Sequence, residues 1–326
     1  MDITKSASAK TALQSTGSDT WTKEAFANTI HSLADEMFEL TFGEPGNMQL
    51  EGLFRVEDQK SENYTLQSKV RPSGTVPLRR DGDDISFIQP QEGFGYTFST
   101  YMFGQGVKVE RELVELDDAG AITDRFEYLM DNSKRTLKNA LADVFNRAVS
   151  PSNAPFLCLD GMYLIDTARP NPDPRAPAWS NQESNAAITA DSLFDATLNA
   201  HNTTGPNGDP LRLKIKKILI PIANDKTLWT LLNTDRAVGS GNNDANWASG
   251  SRFNYEVMDD LTSASIFYLL DDPKSKKNGL QLRWRVRPSL ADINFENPDI
   301  MGKRIRFGFG LGCLDPRYVW RGGVIS

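Results

Sequence analysis

Residues 57–84 constrain this chain more than any other stretch, because they read as extended backbone with almost nothing from which to build a core. Of these 28 residues, five are apolar (Tyr64, Leu66, Val70, Val76 and Leu78) and eleven are charged. Tyr64, Leu66 and Val70 fall on alternate positions, as in a strand with one dry face. Pro72, Gly74 and Pro77 then mark a turn region before Ile85 and Phe87 resume the apolar pattern. The pattern is that of a two-stranded ribbon. A lone hairpin is marginal in water, so a ribbon of this length must either lie on its own domain or be held by another chain.

The rest of the sequence is long enough to bury a core: 326 residues allow one large or two medium domains. There is no run of 18 apolar residues and no apolar h-region near the N-terminus, which predicts neither a membrane span nor a signal peptide, and hence folding in a cytoplasm. Cys158 and Cys313 stand too far apart for a metal knuckle and are expected to be buried small hydrophobes. A formal charge of −7 argues against non-specific nucleic-acid binding through net charge, since phosphate affinity needs clustered Lys and Arg.

Residues 1–20 are small and polar and read as an arm. From about Thr22, the residues Phe26, Ile30, Leu33, Met37 and Leu40 recur at helical spacing, an amphipathic helix that stops near Gly43 and wants a partner surface. After the ribbon, Phe94, Tyr96 and Phe98 alternate, as do Val107 and Val109, so strands return the chain. A long helix is expected from an N-cap at Thr123 or Asp124 to about Val149; some 26 residues at ~1.5 Å each give a rod of roughly 39 Å. An irregular proline-bearing segment follows, then an α/β region. Its parts are a helix after Asp191–Ser192, a strand from Lys214 to Pro221, a short helix from Thr227 and strands at 254–257 and 266–270. In the β-rich finish Leu280, Leu282, Trp284 and Val286 alternate with Gln281, Arg283, Arg285 and Arg287, one face dry and the other cationic.

Little in this pattern carries chemistry. His31 and His201 have no second His or Cys at ligand spacing. The run from Gly308 to Gly312 is not followed by a helix start where phosphate would meet free N–H groups, so its glycines are read as permitting close backbone packing. Acid pairs such as Asp117–Asp118 and Asp259–Asp260 fall at turns or caps. An isopeptide between Lys60 or Lys69 and Asn294 or Asn297, assisted by Glu296, is the one reactive possibility, and no feature of the sequence singles out a pair. No catalytic, cofactor-binding or metal-binding residue is assigned.

The order of parts, together with the stretches DTARP and AWSNQ (166–182), LKIKKILIP (213–221), FYLLDDP (267–273) and RIRFGFGLGCLDPRYVWRG (304–322), resembles the major capsid proteins of tailed bacteriophages, the HK97-like fold. The resemblance implies an α+β subunit with an N-arm, an extended E-loop β-hairpin, a long spine helix, a peripheral domain and an α/β axial domain. The corresponding boundaries are 1–48 for the arm, 49–104 for the E-loop and its roots, 105–154 for a peripheral strand and the spine. The axial domain takes 155–273, and the C-terminal peripheral segment 274–326. It further implies hexamers and pentamers closing an icosahedral shell around double-stranded DNA in the virion, assembled in the host cytoplasm without a membrane. The expected partners are other copies of the chain, a portal, a possible cement protein and, as no scaffolding segment precedes the arm, a separate scaffolding protein. Contacts between subunits are expected at Phe26, Ile30, Leu33 and Met37 on the arm helix, at Tyr64, Leu66 and Val70 on the ribbon, at Arg79, Arg80, Asp81, Asp83 and Asp84 near its tip, and at Trp247. Two other readings compete, an encapsulin-like nanocompartment shell enclosing cargo protein and an α/β enzyme whose ribbon is a dimerisation arm. Deleting 57–84 is expected to leave a folded subunit unable to form shells.

Overall fold

The computed structural model describes residues 23–42, 53–70, 87, 91–110, 119–149, 155–171, 177–183, 187–205, 210–236, 244–250, 252–271, 279–293, 295 and 300–323. Fourteen labelled elements follow in chain order: α1 (Lys23–Phe42), β1 (Arg55–Asp58), β2 (Asn63–Val70), β3 (Gln91–Ser99), β4 (Tyr101–Glu110), α2 (Ala119–Asn146), α3 (Ala190–Asn202), β5 (Ile215–Ile220), α4 (Asp225–Asn233), β6 (Asn254–Val257), β7 (Ile266–Asp271), β8 (Leu280–Ile293), β9 (Ile300–Cys313) and β10 (Val319–Gly323). Strands β2 and β3 form a separate two-stranded ribbon.

The first sheet runs β1-β8-β9-β4. Its centre is the antiparallel pair β8/β9, two strands of 14 residues each, with β4 antiparallel to β9 and the short β1 parallel to β8. The expectation that the ribbon begins at 57 is corrected here, because residues 55–58 belong to this sheet. The alternating cationic face of β8 explains why: Glu57 meets Arg283 at 2.8 Å, and Asp58 accepts from Arg287 at 2.9 and 3.2 Å. A deletion test that begins at 57 would therefore also remove two bonded acids of β1.

Helix α2 has 28 residues, about 42 Å at ~1.5 Å per residue. It begins four residues before the expected cap at Thr123, since Ile122 and Phe126 are fully buried and carry the apolar stripe back towards Val109 of β4 and Leu33 of α1. Its far end is bound by Asn146, whose amide donates to Asp260 O at 2.8 Å and accepts from Thr262 N at 3.0 Å. Between these ends Leu129, Leu137, Leu141 and Phe145 lie in the main core.

The second sheet runs β10-β7-β5-β6, and its period-2 alternation serves two cores. Phe267, Leu269, Ile218 and Trp320 face α3 and α4, while Tyr268, Leu270, Leu219 and Val319 face the end of α2. The sequence expectation assigned all of 274–326 to the other domain, but Val319 to Gly323 pair with Leu270 to Ile266, so β10 is an edge of the second sheet. Helix α3 is capped by Thr189, whose hydroxyl accepts from Ser192 N in a capping box, one turn earlier than the Asp191–Ser192 start that was expected.

Candidate functional site

The ribbon is rooted on a glycine track. Strand β9 carries Gly308, Gly310 and Gly312 on one face, and a Cβ at each would collide with what crosses there. At Gly310 it would stand 2.9 Å from Ser99 O and Thr100 Cγ2, and at Gly312 2.9 Å from two carbons of the Phe98 ring and 3.1 Å from Tyr64 Oη. The sequence reading of these glycines as sites of close packing is thus what the structure shows. The base of the ribbon lies directly on β9, where side chains would otherwise hold it off. Thr100 then closes the base, its backbone N–H and its hydroxyl both donating to Glu62 O at 2.8 Å.

On that seat the ribbon builds a small core of its own. Tyr64 and Phe98 stack at 5.3 Å, Tyr96 and Phe156 meet Phe98 edge-on, and Leu159 completes the buried set with Leu66, Phe94 and Leu314 around it. The Arg283 guanidinium lies 4.6 Å above the Tyr64 ring. Burial pushes the Tyr64 hydroxyl up to about 12, the neighbouring Arg283 cation opposing and Glu57 adding to the shift. The sign follows: between an unfolded value near 10 and the folded value the native state holds the extra proton, so stability falls as pH rises through that window. The loss reaches roughly 2–3 kcal/mol. Tyrosinate absorbance and alkaline unfolding should show this, and Tyr64→Phe should remove its share of the loss. Gly312→Ala should cost about 1–3 kcal/mol by overpacking, and hydrogen exchange should locate the effect in the amides of 63–66 and 96–99.

The arm helix is docked on its own subunit. Leu33 and Ala34 are buried against Val109, Ile122 and Phe126, with Met37 packed beside them. Asp35 meets the buried Lys303 Nζ at 2.6 Å, Lys303 also lies 3.4 Å from Asp292, and His31 Nδ1 is 2.9 Å from the same carboxylate. Leu33 and Tyr64, 4% and 5% exposed, therefore have almost no surface left for a neighbouring subunit, which corrects their expected role as contacts. Met37 and Leu66 are half-buried in the same two clusters. Phe26 and Ile30 lie in the first half of α1 and Val70 ends β2, but their side chains fall outside the described residues, as do Arg79, Arg80, Asp81, Asp83 and Asp84. Trp247 stands apart from all of these, edge-on to Phe194 at 5.1 Å in the helical layer of the second sheet. Of the residues considered for an isopeptide, Lys60 is exposed, while Asn294, Glu296, Asn297 and the Lys69 side chain are not described.

A third assembly of residues was not foreseen. The side chain of Asn181 accepts from Asp166 N at 3.0 Å and Arg169 Nε at 3.3 Å and donates to Leu164 O, Pro316 O and Val319 O at 2.8 to 3.2 Å. Arg169, with no exposure at all, pairs with Asp160 at 2.5 Å, and Arg317 donates to Asn171 Oδ1 at 2.6 Å; both guanidiniums lie over the Trp179 ring. DTARP, AWSNQ and DPRYVWRG thus meet in one buried knot. The density of polar residues around fixed prolines was its signal, but nothing in one sequence says that such arginines are buried. Beneath the knot Cys158 and Cys313 are both buried, and burial beside Cys158 raises the Cys313 thiol well above its ordinary value. Among the described residues no three His, Cys, Asp or Glu side chains gather as for a metal, and no helix is long and apolar enough to cross a membrane.

The family model described as phage capsid protein matches residues 95–322, well over half of the chain, from the return strand of the ribbon to the edge of the second sheet. The chain belongs to that phage capsid protein family. Its fold is the HK97-like capsid fold, as solved structures of low sequence identity agree. The capsid of cyanophage P-SCSP1u has a TM-score of 0.55 at 13% identity, over 85% of this chain and 88% of that one. The Mycobacterium phage Patience structure has a TM-score of 0.52 at 10% identity, over 93% and 87%. The capsid of the empty GTA particle has a TM-score of 0.51 at 10% identity, over 86% and 90%. No curated protein sequence matches the chain. As a major capsid protein it is a structural component of the virion shell and assembles with other copies of itself. The glycine track, the ribbon core and the docked helix are therefore parts of a capsid subunit, and the phage capsid match covers β3 from Gly95 onward, all of β4 and α2, and both sheets except β1 and the last residue of β10.

Proposed function

We propose that this capsid protein joins as hexamers and pentamers into an icosahedral shell around double-stranded DNA, with the ribbon as an E-loop lying across the neighbouring subunit. The observation that carries the reading is the division of the ribbon. Its base rests on the glycine track and holds a core, while the 20 residues that join Val70 to Gln91, far more than a plain hairpin turn needs, contain three prolines and six charged residues. In this reading α1 is the arm helix, α2 the spine, the second sheet with α3, α4 and β10 the axial domain, and the first sheet the peripheral domain. Phe26, Ile30, Val70, Trp247 and the charged group Arg79, Arg80, Asp81, Asp83 and Asp84 supply contacts between subunits. Exposed ion pairs contribute only about 0–1 kcal/mol each, so the shell depends on many repeats of them.

A net charge of −7 suits a container that must not adhere to the DNA it holds. The reading gives the chain no catalytic role. It takes a separate scaffolding protein, a portal and a cement protein as partners, and places assembly in the host cytoplasm. The test replaces residues 71–90 by Asn-Gly, which matches the two-residue loop of a tight hairpin joining β2 to β3. The expected result is a folded, soluble subunit with the wild-type melting profile that negative-stain microscopy finds unable to form shells. Shells formed without those residues would refute the E-loop role. A wild-type protein found only as a dimer would refute the shell itself, and particles holding protein cargo with no nuclease-protected DNA would point to a nanocompartment.

A further inference from the structure

Two apolar faces of the second sheet lie open at opposite ends of one strand. Just beyond the end of β5, Ile222 and Trp229 are 62% and 57% exposed, while Leu228, Leu231 and Leu232 of the same segment turn inward to the core. Ile222 opens the 3-10 turn that leads from β5 into α4, and Trp229 lies on α4, so the segment following β5 presents two large apolar side chains, here called its ridge. At the other end, where β5 begins, a cavity of about 350 Å³ opens beside α3. Phe194 and Leu198, each 44% exposed, form one wall, with Trp247 edge-on to Phe194 and Phe253 beneath. Its rim is cationic: Lys214 and Arg252 line it, the Arg252 guanidinium lying 5.1 Å from the Trp247 ring, and among the described residues no acidic side chain does.

We propose that the Ile222–Trp229 ridge of one subunit inserts into this cavity of the next. The inference rests on the shell reading above and assigns residues to the contact that builds a ring within it. The occupant is a second copy for three reasons. The six residues of β5 hold ridge and cavity about 20 Å apart, so no subunit can fill its own. The faces complement each other chemically, because a cationic rim around aromatic walls meets the negative face of an inserted indole. The pairing is also heterologous, ridge to cavity, which repeats from copy to copy and closes into a ring when the rotation permits. Tryptophan at the centre of such a contact is the residue type most often found to dominate binding.

The test uses the full chain. Trp229→Ala should keep the wild-type melting profile, since the side chain is exposed, yet raise the concentration needed for half-assembly about thirtyfold, equivalent to ~2 kcal/mol per contact. In assembled particles of Leu198→Cys/Trp229→Cys, a short bismaleimide should give a ladder of covalent multimers that neither single variant gives, both native cysteines being buried. Shells that assemble from Trp229→Ala as from the wild type, or that give no ladder, would overturn the proposal while leaving the shell reading intact. It also falls if maleimide finds Leu198→Cys shielded in shells but Trp229→Cys open, because another segment then fills the cavity. If the wild type never assembles, both readings fall together.

Discussion

Replacing Arg169 by methionine should destabilise the subunit by about 3–5 kcal/mol, the cost of leaving one partner of a buried ion pair without the other. Arg169 is wholly buried, and Asp160, with its side chain 6% exposed, would lose its cationic partner. Its remaining partner in the knot is the N–H of Met162 at 3.2 Å, which is far less than a guanidinium. Asn181 Oδ1 would lose one of its two donors, and Trp179 one of the two cations above its ring. The double variant Arg169→Met/Asp160→Asn should recover much of the loss, because the unpaired charge is then gone. Denaturant midpoints of the two single variants and the double variant decide the matter. A single-variant loss below about 1 kcal/mol would mean that the knot is tied by its amides and not by its charges.

The other large effect is expected at Phe145. Its side chain has no exposure, meets Tyr268 at 5.1 Å and Phe54 at 6.3 Å between ring centroids, and its carbonyl accepts the Tyr268 hydroxyl at 2.5 Å. It therefore joins the end of α2 to the second sheet and to the segment just before β1. Phe145→Ala should cost about 3–5 kcal/mol through lost burial and a cavity that the rigid helix and sheet cannot close. Phe145→Leu, which keeps most of the volume, should cost about 1 kcal/mol. Calorimetry reads the difference, and electron microscopy of the alanine variant should find misshapen particles, since the two layers are no longer held at a fixed angle. Equal losses for alanine and leucine would point to ring stacking, and not volume, as the source of the stability.

What was legible in the sequence was whatever depends on period. The stripe of α2, the strand at 254–257 to the residue, the strand that becomes β5 and the alternation along β8 all follow from spacing, and the packing role of Gly308 to Gly312 follows from glycines set inside a strand. What escaped depends on partners far away in the chain. Glu57 and Asp58 read as ribbon because their charges look solvated, until β8 brings Arg283 and Arg287 to face them. The stripe of α1 calls for a partner, but a stripe does not say whether the partner is in the same chain; Val109 and Phe126 supply it here. Likewise β10 has nothing in its own residues that selects the second sheet over the first. Arg169, Arg317 and Arg321 are buried against the general habit of arginine, which a reading of residue types alone must follow.

The parallel pairing of β1 with β8 sets Arg55 beside Gln281. Such distant pairings form late, because the chain between them must be brought together before any contact rewards it. A ribosome making this protein therefore exposes the ribbon early but completes its root only after β8, which pairs with β1, and β9, which seats the ribbon, have emerged. Until then a half-made chain holds the ribbon without its parallel root or its seat, and so without a fixed direction. Under the proposed E-loop role, the order of synthesis would in this way keep unfinished chains out of a growing shell, a kinetic safeguard that no surface contact by itself supplies.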